Sequence, residues 1–204
     1  NVLLYFYVVV TAFTAVIHFL YLYTDNYKMS NIFLKTERFI LRYLTQEDFE
    51  ELKEILQDKD VMYAWEYIFS DEEVKNWISK NIEFYEKYNL GYFLALDKNK
   101  NQVVGQIGLM PDIINGQRFL ETGYILKKEF WHNGYAYEGA KALIEYAFDV
   151  LQEKQVIAEI RPTNTASQKV AKKLGMKVIG DFVKIVHGKE MLHLIYSIEK
   201  AKLS

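Results

Sequence analysis

Glu121-Thr122-Gly123-Tyr124-Ile125-Leu126-Lys127-Lys128-Glu129-Phe130-Trp131-His132-Asn133-Gly134-Tyr135-Ala136-Tyr137-Glu138 is the stretch on which the fold turns. A strand closes, a short loop follows, and a helix opens at once around Gly134 and Ala136. Small residues at such a junction let the backbone approach a ligand closely. The first amides of the helix have no partner within it and point outward. Together with the helix dipole they make a phosphate site. Taken alone, the same Gly-x-Ala also reads as a tight strand-to-helix turn and nothing more.

Upstream of this stretch the apolar period is two. Residues 92–96 and 103–110 are apolar runs separated by the polar residues 97–101, the pattern of a hairpin. Asn115-Gly116 makes the next turn, into the strand that ends at Leu126. Residues 38–43 alternate as an earlier strand. Two helices lie between. Thr45 opens the first, with acid three residues on and Phe49, Leu52, Ile55 and Leu56 as its stripe. Ser70 opens the second, which carries Val74, Trp77, Ile78, Ile82 and Tyr85 on one face. Downstream, Ala140, Leu143, Ile144, Ala147 and Phe148 keep helical phase within residues 135–151. Residues 156–160 read as a strand and 165–174 as a short helix stopped by Gly175. Two strands close the chain around His187-Gly188. The order β-α-α-β-β-β-α-β-α-β-β packs as a mixed sheet covered by helices, an α/β fold.

The 204 residues carry 25 Lys+Arg against 27 Asp+Glu, and 16% are aromatic. With only 2 Pro and 10 Gly, collagen-like, coiled-coil and disordered chains are excluded. A near-neutral balance lacks the basic footprint of a nucleic-acid binder. The absence of Cys removes disulfides, thiolate metal sites and a cysteine nucleophile. It suits a reducing, cytoplasmic setting. His18, His132, His187 and His193 are dispersed without ligand spacing, so no metal is expected. Residues 1–28 do not resemble the rest. Residues 2–23 carry no charge, and only Thr11, Thr14 and His18 fall outside the apolar set. That is long enough to cross a bilayer, at about 20 residues. Met29 then opens what reads as a soluble domain, so the leader is either translated upstream sequence or a membrane anchor. The expected organisation is an apolar leader over 1–28 and one domain over 29–204.

Several spaced motifs agree on the nature of that domain. Trp131-His132-Asn133-Gly134-Tyr135-Ala136 fits the loop pattern Gln/Arg-x-x-Gly-x-Gly/Ala with Trp in the first place. Glu121-Thr122-Gly123-Tyr124 precedes it on the strand. Asn164-Thr165-Ala166-Ser167 and Lys173-Leu174-Gly175-Met176 follow it, and residues 36–42 form the opening Thr-Glu-Arg-Phe-Ile-Leu-Arg. Over residues 35–200 the chain resembles the GNAT family of N-acetyltransferases, in its RimJ/RimL-like branch of ribosomal-protein and alanine N-acetyltransferases.

The resemblance implies a GNAT fold: a mixed, mostly antiparallel sheet of about six to seven strands, with a V-shaped splay between the fourth and fifth. Acetyl-CoA is the co-substrate it implies. Main-chain groups of Tyr124 and Leu126 would pair with the pantetheine arm, and Asn164 would bond its amides. The pyrophosphate would lie on the loop of Trp131, His132, Asn133, Gly134, Tyr135 and Ala136. Lys173, with Lys169 and Lys172, would face the adenosine 3′-phosphate, though these lysines also read as a solvated helix face. Transfer would run by direct attack of the amine on the thioester. Glu121 is the expected base, and it also reads as a structural acceptor. The backbone N–H near Ile125 is the expected oxyanion donor. Many family members place an acidic Tyr where this chain has Ala171; in the RimL-like branch the Ser of Asn-x-x-Ser takes that role, so the resemblance implies Ser167 as the acid, and its hydroxyl also reads as a helix-start group bonding its own backbone. Trp65, Glu66 and Glu121 would receive the acceptor, and the aromatics from 62 to 67 also read as core beneath a loop. Relatives often carry Asp where this chain has Leu192.

The leading activity is acetyl transfer to a primary amine, with a protein N-terminal α-amine first. A small amine such as a polyamine, amino acid or antibiotic is the alternative acceptor. A non-catalytic acyl-CoA-binding regulatory module is the rival of another class. A monomer or homodimer is expected, with no nucleic-acid partner and with membrane contact only through residues 2–23.

Overall fold

Among the described residues, alternating apolar positions build eight strands into one sheet. They are β1 (Ile32–Lys35), β2 (Phe39–Arg42), β3 (Gly91–Asp97), β4 (Val103–Ile114), β5 (Gln117–Leu126), β6 (Gln155–Ile160), β7 (Lys177–Val186) and β8 (Lys189–Glu199). Their order across the sheet is β1-β2-β3-β4-β5-β6-β8-β7. Every neighbouring pair is antiparallel except β5 with β6. Among the described residues four helices pack on it: α1 (Phe49–Leu56), α2 (Asp71–Tyr88), α3 (Tyr135–Asp149) and α4 (Thr165–Lys173). The structure is a computed structural model and describes residues 31–200. The leader over 1–28 lies outside the described residues. Among those described, no helix is long and apolar enough to cross a membrane.

The mixed, mostly antiparallel sheet is as expected, with one strand more. Residues 32–35 fold back on β2, so the parallel junction falls between the fifth and sixth strands, not the fourth and fifth. The strands flanking it are the expected ones.

Alternation along β3 separates two cores. Phe93 and Ala95 pack with Leu143, Ile144, Ala147 and Phe148 of α3. Tyr92 and Leu94 face Leu52, Ile55 and Leu56 of α1 and Val74 and Ile78 of α2. Ser70 opens α2 with a reciprocal capping box: its hydroxyl accepts the Glu73 N–H at 3.3 Å and its own N–H reaches Glu73 Oε2 at 2.8 Å. The Thr45 start begins as a 3₁₀ turn over Gln46–Asp48 before α1, with the Asp48 carboxylate accepting the Thr45 N–H at 2.8 Å.

Strand β4 continues past Met110, where Pro111 interrupts the apolar run in sequence. Pro111 pairs with Leu120 but lies beyond the end of β3, whose last partner on β4 is Leu109. Its missing N–H therefore faces no strand, and the proline is tolerated. On the other side, β5 touches β6 only where Glu121 meets Ile157. Strand β6 instead continues along β8, from Gln155 with Glu199 to Ile160 with Leu194. Beyond Glu121 the sheet parts.

Candidate active site

The parting leaves the edge of β5 without a neighbour, and its ladder phase decides which groups face the gap. Lys127 donates its N–H to the Val104 carbonyl at 2.9 Å, and the β4–β5 register below it is unbroken. Bonded and non-bonded pairs alternate along an antiparallel ladder. Ile125 therefore spends its N–H on Gln106, while Tyr124 and Leu126 turn theirs into the gap. Tyr124 and Leu126, the residues expected to pair with the pantetheine arm, are thus the ones whose amides face the gap, and the amide of Ile125, the expected oxyanion donor, is not. The Ile125 amide is committed to β4, and what Ile125 brings to the gap is its side chain.

Past Leu126 a 3₁₀ turn, Lys128–Phe130, leads into the loop. Trp131 anchors it, its indole N–H donating to the Leu126 carbonyl at 2.9 Å. His132 and Gly134 take positive φ, 60° and 80°, and Asn133 Nδ2 bonds the Trp131 carbonyl at 3.0 Å. His132, Asn133 and Gly134 are exposed, whereas Tyr135 is buried and Ala136 half-buried. Tyr135 donates its hydroxyl to Asp97 Oδ2 at 2.5 Å. No side chain caps α3, so its first amides stay open to an anion. Lys173 lies over the Tyr137 ring, 4.5 Å from its centre, and so reaches the same end of α3.

Arg38 holds the loop from outside. Its Nη1 donates to the Asn133 carbonyl at 2.7 Å, its Nε pairs with Glu138 Oε2 at 2.5 Å, and its guanidinium lies 4.2 Å from the Tyr135 ring centre. Arg38→Ala is expected to cost about 1 kcal/mol of stability. Acetyl-CoA affinity should fall by about threefold, as expected for a lost positioning contact. Thermal melts and calorimetry check the two effects.

The other end of the gap opens into a cleft of about 600 Å³. Of the expected site residues, Trp65, Glu121, Tyr124, Ile125, Asn164 and Ser167 line it. Leu126, residues 131–136, Lys173 and Glu66 do not. Asn164 caps α4, its Oδ1 accepting the Ser167 N–H at 3.0 Å and the Tyr63 hydroxyl at 2.7 Å. Its Nδ2 is left to donate to a ligand carbonyl. Asn164→Asp keeps the cap acceptor and loses that donor. The expected result is an unchanged melting temperature and an acetyl-CoA KM raised about fivefold, the worth of one hydrogen bond. Tyr124 donates to the Ser167 carbonyl at 3.4 Å, and burial pushes its phenol up to about 12. Ala171 is buried in the core.

Trp65, Trp77 and Tyr92 form one aromatic wall; Trp65 and Trp77 meet edge to face at 6.2 Å. Tyr92 lies across the sheet so closely that a Cβ on Gly123 would overlap its hydroxyl. This is why the Glu-x-Gly step carries glycine. Glu66 stands apart from the wall, its carboxylate taken by Arg161 Nη2 at 2.8 Å and by Lys189. Glu66, expected to receive the acceptor, instead ties the 62–67 connection to Arg161, just past β6, and to the last hairpin.

On the cleft floor Glu121 meets two carboxylates that sequence reasoning missed. One oxygen each of Asp112, Glu121 and Glu159 lie within 4.8 Å of one another. Lys184 Nζ sits against them, 2.9 Å from Glu159 and 3.4 Å from Asp112. Burial first, then the neighbouring Glu159 charge, raises the Glu121 carboxyl above the usual carboxylate range. Burial and the adjacent Asp112 carboxyl do the same to Glu159. These groups come from β4, β5, β6 and β7, so no local spacing announces them. Arg38 and Glu138, by contrast, stood inside the two motifs already singled out.

A family model described as an acetyltransferase (GNAT) domain matches residues 38–177. The uncharacterized protein YkkB of Bacillus subtilis is 34% identical over 144 residues, covering 70% of this chain and 84% of its own. A GNAT-family acetyltransferase structure from Bacillus anthracis is 28% identical, with a TM-score of 0.69 over 82% of this chain and 98% of that one. The structure of RimL, a ribosomal L7/L12 alpha-N-protein acetyltransferase, aligns with a TM-score of 0.69 at 17% identity over 82% and 93% of the two chains, a likeness of fold.

Proposed function

This chain belongs to the GNAT acetyltransferase family, and from that premise we propose that it transfers the acetyl group of acetyl-CoA to a protein N-terminal α-amine in the manner of the RimJ/RimL-like branch. The observation that carries this is Glu121, a carboxyl lining the cleft at the point where β5 loses its neighbour. A base is most effective when its pKa lies near that of its partner and the working pH. Free α-amines titrate at about 7.7–8.0, against about 10.4 for lysine, so an α-amine gives up its proton to a carboxylate base more readily than a lysine does.

Acetyl-CoA supplies the thioester, whose C–S bond breaks as the amine nitrogen bonds the carbonyl carbon. Glu121 takes the proton from the attacking nitrogen, directly or through water. The Tyr124 N–H, which faces the gap nearest Glu121, replaces Ile125 as the donor to the carbonyl oxygen. Leu126 and Asn164 hold the pantetheine arm, and residues 131–136 with Lys173 hold the phosphates. Ser167, on the cleft wall, returns a proton to the departing sulfur. Trp65 and its aromatic neighbours wall the acceptor channel. The catalytic unit is the domain over 29–204.

The acidic cleft floor favours a second reading, in which the acceptor is a small cationic amine. Thiol release from acetyl-CoA over a panel of N-terminal peptides and simple amines separates the two. Preference for peptides supports the first reading, and preference for small amines replaces it with the second.

A further inference from the structure

We propose that Lys184 is a resident ammonium that fills the second cation position of the acceptor cleft and so selects monoamine acceptors over diamines. The inference rests on the acetyl-transfer reading and names the acceptor class of that same site.

Three features of the cleft floor carry it. The carboxylates of Asp112, Glu121 and Glu159 converge within 4.8 Å on one lining of the cleft. The Glu159 side chain is only 3% exposed, and its Oε1 has no hydrogen-bond partner among the described residues. A buried carboxylate oxygen without a donor is costly, and an incoming N–H group would relieve that cost. Lys184 already supplies an ammonium there, bonded to Glu159 at 2.9 Å and Asp112 at 3.4 Å. It reaches in from the edge strand β7, with 43% of its side chain exposed. Through it, the half of the sheet bearing β6 to β8 grips the tail of β4 across the parting.

The charge balance follows. With Lys184 in place, its positive charge offsets one of the three carboxylates and stands in the middle of the cluster. One acceptor ammonium finds a free carboxylate beside it, whereas a second would have to approach the Lys184 charge. A diamine would need the place that Lys184 occupies in order to present its far nitrogen to Glu121. Removing the lysine charge opens that place, so the rejection of diamines is a repulsive element built into the site.

The test compares the wild-type full chain with Lys184→Met and Lys184→Arg on butylamine and putrescine, which share a four-carbon stem and differ by one amine. Thiol release at saturating acetyl-CoA gives kcat/KM for each. The putrescine-to-butylamine ratio should rise about tenfold in Lys184→Met, the worth of one recovered ion pair. It should stay at the wild-type value in Lys184→Arg, which keeps the charge. Calorimetric titration with putrescine should show the same gain in affinity and needs no turnover. A ratio and an affinity in Lys184→Met that stay within about twofold of wild type would overturn the proposal. If Lys184→Met does not fold by circular dichroism, Lys184→Gln takes its place. A wild-type protein that binds acetyl-CoA but releases thiol with neither amine counts against acetyl transfer to small amines, and the putrescine titration then decides the role of Lys184 by itself.

Discussion

Glu121→Gln is expected to lower kcat about a hundredfold at neutral pH, the low end of what a positioned base contributes, while acetyl-CoA affinity stays unchanged. The substitution keeps the side-chain volume and removes the proton acceptor. The acetyl-CoA contacts assigned to the β5 edge are main-chain groups and do not involve this side chain. The pH profile carries the sharper signature. A base works in its deprotonated form, so a carboxyl raised by burial, and next by Glu159, moves the acid limb of the rate up from the ordinary carboxylate range toward neutrality. Asp112 pushes in the same direction and Lys184 opposes it. Wild-type kcat should therefore fall as the pH drops below neutrality. In Glu121→Gln that limb should vanish, leaving only the titration of the acceptor, about 7.7–8.0 for an α-amine. A kcat equal to wild type from mildly acidic to mildly alkaline pH would remove Glu121 as the base.

Gly134→Val should weaken acetyl-CoA binding about thirtyfold, an effect of roughly 2 kcal/mol. Gly134 has φ of 80° at the start of α3, and a β-branched residue is a genuine outlier there. The first Cβ atom itself would find room, with Arg38 Nη2 at 3.5 Å. The penalty therefore comes from backbone strain and from branches standing over the open helix amides. Gly134→Asn separates these causes, because Asn tolerates left-handed backbone. If Asn restores most of the affinity, strain dominates; if it binds as poorly as Val, the side chain blocks the phosphates. Wild-type affinity in Gly134→Val, measured by calorimetry, would contradict the phosphate assignment of residues 131–136.

Much of this was legible in the chain. Ser70 with Glu73, the Asn115-Gly116 turn and the strand–loop–helix of residues 121–138 all rest on local chemistry, and each appears where the residues indicate. What was hidden depends on long-range geometry. Pro111 reads as a strand breaker, but the limited extent of β3 makes its position harmless. The phase of the β4–β5 ladder set Tyr124 and Leu126 toward the gap and Ile125 away from it, and side-chain patterns carry no record of which amides point where. Glu66 reads in sequence as a partner for a cationic acceptor, yet Arg161 and Lys189, far along the chain, pair with it. Asp112, Glu159 and Lys184 meet Glu121 only because four strands converge at the parting.

The most direct test of the account is to incubate the purified full chain with acetyl-CoA and a short peptide bearing a free N-terminus, and to follow thiol release and peptide mass together. The account predicts that the peptide gains one acetyl group on its α-amine in step with the thiol released. A folded protein that binds acetyl-CoA yet leaves the peptide and every simple amine unmodified would contradict it, and would make the parting of β5 and β6 a binding site without chemistry.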